Sequence, residues 1–360
     1  MTADAKSLAV LDDVAARDRL DRSGLLARVQ ALPEQCENAW GAARTFAWPE
    51  DAAGATQVVV LGMGGSAIAG DIVRSLASAT GDKPVAVARG YNVPAFVGKD
   101  TLVIACSHSG NTEETVSALE AAFANGAQAT VITTGGRLAE IAVQRKLPAF
   151  VYQYAGQPRC ALGYQLMALL ALAERAGLLP DQSQAVRESL RIMRSQRDGL
   201  GFARDAARND AKQLAGRLYE RVPVIIGAGV LIEAAHRWKT QVNENAKSWA
   251  LWDELPEADH NSVVGFGLPS AFAKQATALF LLPRALPHRE QVRYEATADE
   301  LSRAGVLHER VNVAGESPLA QVLSAIYLGD FVSYYLALLN GVDPTPIDQI
   351  ARVKARLAQA

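Results

Sequence analysis

The chain has 360 residues, 49% of them hydrophobic, and a formal net charge of −2 at pH 7. That length exceeds what one core usually organises, and so small a charge argues against nucleic acid as the main partner. No apolar run reaches the roughly 18–20 residues of a membrane span, and the opening stretch, with acidic residues at Asp4, Asp12 and Asp13, lacks the unbroken apolar core of a secretory signal.

Residues 7–45 read as two amphipathic helices. Leu8, Leu11 and Val14 mark the first, Leu25, Leu26, Val29 and Leu32 the second, and Pro33 punctuates them. Their expected role is packing, against the first domain or a partner subunit. Strand signals follow near 57–61, 85–88, 102–106, 129–133 and 148–152, with helical segments between. This alternation predicts a doubly wound parallel sheet that binds ligands at the strand C-termini.

The first strand, Val58 to Leu61, runs into Gly62-Met63-Gly64-Gly65-Ser66 and then a helical apolar pattern. Strand, glycine turn and helix N-terminus make an anion site. Gly62, Gly64 and Ala67 also satisfy G-x-G-x-x-G/A, which raises a dinucleotide site. That site needs a carboxylate at the end of the next strand, and Val85–Ala88 ends instead in Arg89-Gly90. A third strand, Thr101 to Cys106, ends in Ser107-His108-Ser109-Gly110-Asn111-Thr112. Three hydroxyls and a glycine there form a phosphate cradle with no provision for a base. Two such loops on one sheet edge suit a sugar phosphate.

Residues 154–220 read as mainly helical. A second α/β unit opens at Val222-Pro223-Val224-Ile225-Ile226-Gly227-Ala228-Gly229 and repeats the strand–glycine–helix grammar, which we read as an internal duplication. Later strands are expected near 262–265, 277–282 and 309–313. Ser317-Pro318 starts a long apolar helix to Leu339, Gly341 ends it, and Thr345-Pro346-Ile347-Asp348 starts a last helix carrying Lys354. The expected organisation is a helical segment at 1–45, a first domain at 46–153, and a second at 154–360 with its helical linker and C-terminal helices. Cys36, Cys106 and Cys160 show no pairing pattern and suit a reducing cytoplasm. Five scattered histidines, with neither C-x-x-C nor H-x-x-x-H, predict no metal site.

The glycine loop Gly62–Asp71 followed by Ser107–Thr115 resembles the sugar isomerase (SIS) domain, and most of all the bifunctional phosphoglucose/phosphomannose isomerase branch. The resemblance implies two flavodoxin-like SIS subdomains. It implies an aldose–ketose isomerase of hexose 6-phosphates, working through an enediol without metal or other cofactor. That chemistry needs a base, an acid/base for ring opening, a donor for the developing oxyanion and a phosphate anchor.

Glu244, in Asn243-Glu244-Asn245-Ala246-Lys247, resembles the family's catalytic glutamate. Seen alone, it reads sooner as a surface glutamate with Lys247 one turn on. His260, in Pro256-Glu257-Ala258-Asp259-His260-Asn261, resembles the ring-opening histidine, which in related isomerases comes from the neighbouring subunit; a homodimer with a shared site is implied. Arg159, in Pro158-Arg159, matches the residue that stabilises the enediolate. Lys354 matches a lysine that assists ring opening or orients the sugar. The phosphate set is Ser107, Ser109 and Thr112, with Gly64, Gly65 and Ser66 nearer the sugar. His108 stands where the family commonly has tyrosine; it either tunes phosphate affinity or fills space, and filling space is the expectation. A non-catalytic sugar-phosphate sensor on the same fold is the alternative.

Overall fold

A computed structural model describes residues 8–357 and Gln359. Helices α1 (Val14–Leu20), α2 (Leu25–Gln30) and α3 (Leu32–Thr45) precede the first strand. Pro33 sits in the first turn of α3, where its missing N–H costs nothing, so it begins a helix where the sequence reading had it divide two. The first α/β series is β1 (Gln57–Leu61), α4 (Gly64–Ser78), β2 (Val85–Ala88), β3 (Thr101–Ser107), α5 (Glu113–Ala124), β4 (Gln128–Thr133), α6 (Gly136–Arg145) and β5 (Ala149–Val151). Helices α7 (Leu162–Arg175), α8 (Ser183–Leu200) and α9 (Asp210–Leu218) follow. The second series is β6 (Val222–Ala228), α10 (Leu231–Ala246), β7 (Leu251–Leu255), β8 (Ala276–Pro283), α11 (His288–Arg303) and β9 (Leu307–Val313). Helices α12 (Pro318–Leu339) and α13 (Asp348–Leu357) close it.

The chain divides into two compact units. One holds Ala31–Ile192 and Gly315–Val322; the other holds Met1–Gln30, Met193–Ala314 and Leu323–Ala360. Helices α3 and α7 therefore belong with the first sheet. The reason lies in α7, which is buried nearly all round from Leu162 to Ala173 and needs cover on more than one side. Helix α3 supplies some of it, so closely that a Cβ on Gly163 would stand 2.8 Å from the Gln35 Cβ.

The first sheet is parallel throughout, in the order β2-β1-β3-β4-β5. That is the flavodoxin-like arrangement, whose switch point lies between β1 and β3. Strand β3 is buried along its whole length, as a strand covered on both faces must be. Val59, Leu61, Val103 and Val131 pack there with Leu119 of α5 and Leu138 and Ile141 of α6.

The second sheet is parallel in the order β7-β6-β8-β9, the same succession one strand shorter. Phe280, Ile226 and Leu255 pack there with Tyr294 and Leu301 of α11. Two sequence readings change here. The expected strand at 262–265 is a short helix, Ser262–Gly265, capped by the Asn261 side chain on the Ser262 N–H. The true strand is β7, whose Asp253 and Glu254 hide it in the sequence; it lies at the sheet edge, where charge is tolerated.

In this second unit the early helices are tied to α12. The Tyr334 hydroxyl donates to Asp21 Oδ2 at 3.1 Å, and the Tyr327 hydroxyl to the Gln30 carbonyl at 3.1 Å. Lys212 of α9 is buried and its ammonium donates to Asp12 and to the carbonyls of Phe202 and Arg204, which satisfies all three hydrogens. Helix α12 has the length and apolarity to cross a membrane, yet 89% of its apolar window is buried inside the protein. It is a core helix.

Candidate active site

The loops after β1 and β3 leave adjacent strands at the same sheet edge, since Leu61 pairs with Ala105. Gly62 is needed for room: a Cβ there would meet the Cys106 carbonyl at 3.1 Å. Gly64 is needed for conformation, with φ +51° at the start of α4. Gly65 lies against the short helical turn Pro158–Cys160, with the Arg159 Cα 3.5 Å from where its Cβ would stand. Arg159 itself is buried, 3% exposed. The structure thus brings Gly64, Gly65, Ser66 and Arg159 together, though Arg159 lies about a hundred residues along the chain.

The second loop is a web of hydroxyls. Ser107 Oγ lies 2.9 Å from Thr112 Oγ1 and 3.5 Å from Ser109 Oγ, and the Gly110 N–H donates to Ser107 Oγ at 3.1 Å. Ser107 is buried, Thr112 half-buried and Ser109 exposed, a graded set facing the N-terminus of α5. The loop leans on a third turn, at the end of β4. The Arg137 N–H donates to Asn111 Oδ1 at 2.9 Å, the Leu138 N–H to the Gly110 carbonyl at 3.0 Å, and the Thr134 hydroxyl to the His108 carbonyl at 2.6 Å. Sequence reading passed over this brace, although the Gly135-Gly136 pair directly after a strand was its signal.

His108 does more than fill space. Its Nδ1 lies 3.1 Å from the Tyr152 hydroxyl, and its ring packs against Tyr152 and Tyr154. Burial lowers its pKa from the ordinary histidine value, partly offset by a hydrogen bond to the Gly156 carbonyl. Below the first loop, the fully buried Gln165 of α7 donates from Nε2 to Ser66 Oγ at 2.8 Å.

The cation at the end of β2 is also accounted for. Arg89 pairs with Asp71, a buried carboxylate on α4, so the place where a dinucleotide site carries its ribose-binding acid holds a neutralised arginine.

Glu244 stands near the C-terminus of α10, half-buried, and lines a cavity of about 370 Å³. That lies within the roughly 300–1,000 Å³ of small-molecule sites. Asn243, Lys247, Trp249, Ile347 and Ile350 line it too. Lys247 takes a left-handed conformation, φ +56°, and caps the helix by donating to the carbonyls of Glu244 and Asn245; it also reaches the Pro344 carbonyl at 3.1 Å. Asn245 donates to Ser333 Oγ at 3.0 Å and Asn340 to the Ala246 carbonyl at 2.9 Å, so the helix end bearing Glu244 is fixed to α12. Trp249, 79% exposed beside this cavity, is a residue that motif reading did not single out.

His260 ends the turn Glu257–His260 after β7 and is exposed. It is not among the residues lining the Glu244 cavity. The turn is rigidly held, with Ala258 in the core and Asp259 clamped to α11. Lys354 is exposed on α13, two turns beyond the cavity-lining Ile347 and one beyond Ile350.

Paired hydroxyl and glycine loops at a sheet switch point, repeated strand–glycine–helix units, and a carboxylate facing a small-molecule cavity define a phosphosugar-handling α/β protein with two sugar isomerase domains. Residues 53–143 match the SIS domain, and residues 207–357 match the bacterial phospho-glucose isomerase C-terminal SIS domain. The chain is 36% identical over 332 residues to the bifunctional phosphoglucose/phosphomannose isomerase of Caldicellulosiruptor bescii, covering 92% of this chain and 98% of that one. It is 34% identical over 316 residues to the protein of the same name from Aquifex aeolicus, covering 87% and 94%. A hypothetical protein from Thermus thermophilus shares the fold at a TM-score of 0.72 and 18% identity, covering 96% of this chain and 94% of that one. The chain belongs to the bifunctional phosphoglucose/phosphomannose isomerase family.

Proposed function

We propose that this protein is an isomerase that interconverts fructose 6-phosphate with glucose 6-phosphate and mannose 6-phosphate. The observation that carries this reading is the half-buried Glu244 carboxylate, on a helix end pinned from two sides, facing a cavity of sugar size. Glu244 removes the proton from C2 of the open-chain aldose and returns it to C1, through an enediol. Both epimers at C2 give the same enediol, which is why one site serves glucose and mannose.

Arg159, a fixed cation, stabilises the oxygen that gains charge as the enediol forms. Ser107, Ser109, Thr112 and the N-terminus of α5 anchor the phosphate, while Gly64, Gly65 and Ser66 contact the sugar. His260 transfers the proton that opens the ring, and Lys354 assists or orients it. The exposure of His260 supports a homodimer in which each copy completes the site of the other. Among the described residues Cys36, Cys106 and Cys160 form no disulfide, which supports a cytoplasmic setting.

The test is turnover of mannose 6-phosphate and glucose 6-phosphate, each followed by fructose 6-phosphate formation in the presence of EDTA. Glu244→Gln should retain phosphate binding and lose about 10²–10⁴-fold in kcat, the usual cost of removing a catalytic base. A Glu244→Gln protein with near wild-type turnover would sink the assignment.

A further inference from the structure

Ser66 on the first loop and His108 on the second are joined by a short run of side chains that none of the motifs contains. Gln165 Nε2 donates to Ser66 Oγ at 2.8 Å. Tyr164, the neighbour of Gln165 on α7, stacks on the Tyr152 ring with centroids 5.0 Å apart, and the same amide favours the ionised form of the Tyr152 phenol. The Tyr152 hydroxyl lies 3.1 Å from His108 Nδ1. The His108 ring in turn packs edge-on against Tyr154, on the loop that leads into Arg159.

One assignment of hydrogens satisfies every link. Gln165 donates an amide hydrogen to Ser66, and Tyr152 donates its own to Nδ1 of a neutral His108. Two consequences follow. Because Ser66 Oγ accepts from Gln165, its hydrogen is directed away from the amide, and among the described residues no hydrogen bond uses it. It is left to donate to a ligand oxygen. The Gln165 Oε1 is buried without a hydrogen-bond partner among the described residues. A leucine would fill that place without stranding a carbonyl, so packing alone does not account for the glutamine.

We propose that Gln165 and Tyr152 are positioning residues that set the Ser66 hydroxyl and the second loop as one unit for a phosphorylated sugar. This rests on the functional reading above. Neither residue touches the reacting carbons, so their removal weakens capture of the phosphate ester and leaves the proton transfer intact.

The experiment compares wild type, Tyr152→Phe, Gln165→Leu and the double variant. It measures kcat and KM for fructose 6-phosphate, the competitive inhibition constant of inorganic phosphate, and the thermal midpoint. Tyr152→Phe keeps the ring stacked on Tyr164, whose centroid is 5.0 Å away, and deletes only the hydroxyl. Each single variant should raise KM and the phosphate constant together by about three- to tenfold, the worth of one hydrogen bond, with kcat within about twofold. The double variant should be no worse than the weaker single, because one unit is broken once.

Unchanged KM and phosphate constants in the single variants overturn the proposal, as do effects that multiply in the double. If Gln165→Leu does not fold, Tyr152→Phe decides alone. If wild type binds neither phosphate nor hexose phosphate, the functional reading falls and takes this one with it. If wild type binds and turns over while the variants match it, this inference alone falls.

Discussion

Asp259 and Arg293 are joined by an ion pair of 2.7 Å, Nη1 to Oδ2, one residue before His260. The other carboxylate oxygen accepts from the Thr297 hydroxyl at 2.8 Å. Both partners lie one turn apart on α11, so an exposed histidine rests on a turn clamped to a packed helix. The pair is partly exposed and contributes little to stability, about 0–1 kcal/mol. Its effect is on aim. Asp259→Ala is expected to lower kcat by about ten- to a hundredfold, with the thermal midpoint nearly unchanged. Steady-state kinetics beside thermal melts check this; an unchanged kcat would show that the turn holds His260 without the clamp.

The two glycine turns at the Ser107–Thr112 loop make a second expectation. Gly110 has φ +68°, and a Cβ on it would overlap the Gly135 carbonyl at 1.8 Å. Backbone carbonyls cannot rotate away as a side chain can. Gly110→Ala should therefore move the loop, cost about 1–3 kcal/mol in backbone strain alone, and abolish phosphate inhibition. Denaturant titration and phosphate inhibition report the two effects separately. Gly90→Ala, with φ +134° and open space around the Cβ, carries strain without the overlap and serves as the contrast.

His108 gives the protein a pH dependence whose sign is fixed by its surroundings. Burial lowers its pKa in the folded state below the ordinary value near 6.5. Between the lowered and the ordinary value, the unfolded chain binds a proton that the folded one does not. Stability is full above about pH 6.5 and falls as pH drops through that window. His108→Gln should flatten this part of the profile. Urea unfolding at pH 7.5 and pH 5.5 for both proteins checks it; equal slopes would remove His108 as the cause.

Much of the first sheet was legible because parallel strands covered on both faces leave unbroken apolar runs, as in Thr101–Cys106. The glycine and hydroxyl turns were legible because each residue type has a local geometric reason. Strand β7 was not, since an edge strand accepts Asp253 and Glu254 and so loses its apolar signature. Likewise Val263-Val264 suggested a strand where Asn261 caps a helix. Gln165, Tyr152 and Asp259 were beyond reach for another reason. Their partners Ser66, His108 and Arg293 are 99, 44 and 34 residues away, and only the folded chain sets such pairs together.

The make-up of the second unit bears on how the chain is made. The first sheet's last strand ends at Val151, so its strands can pair on the ribosome before β6 has been translated. The other unit has no such start. It joins Asp21 to Tyr334, 313 residues further along the chain. The cover that α12 gives α1 and α2 therefore comes only once α12 has left the exit tunnel. Until then a contact open to this early segment is the one from Asp12 to Lys212 of α9.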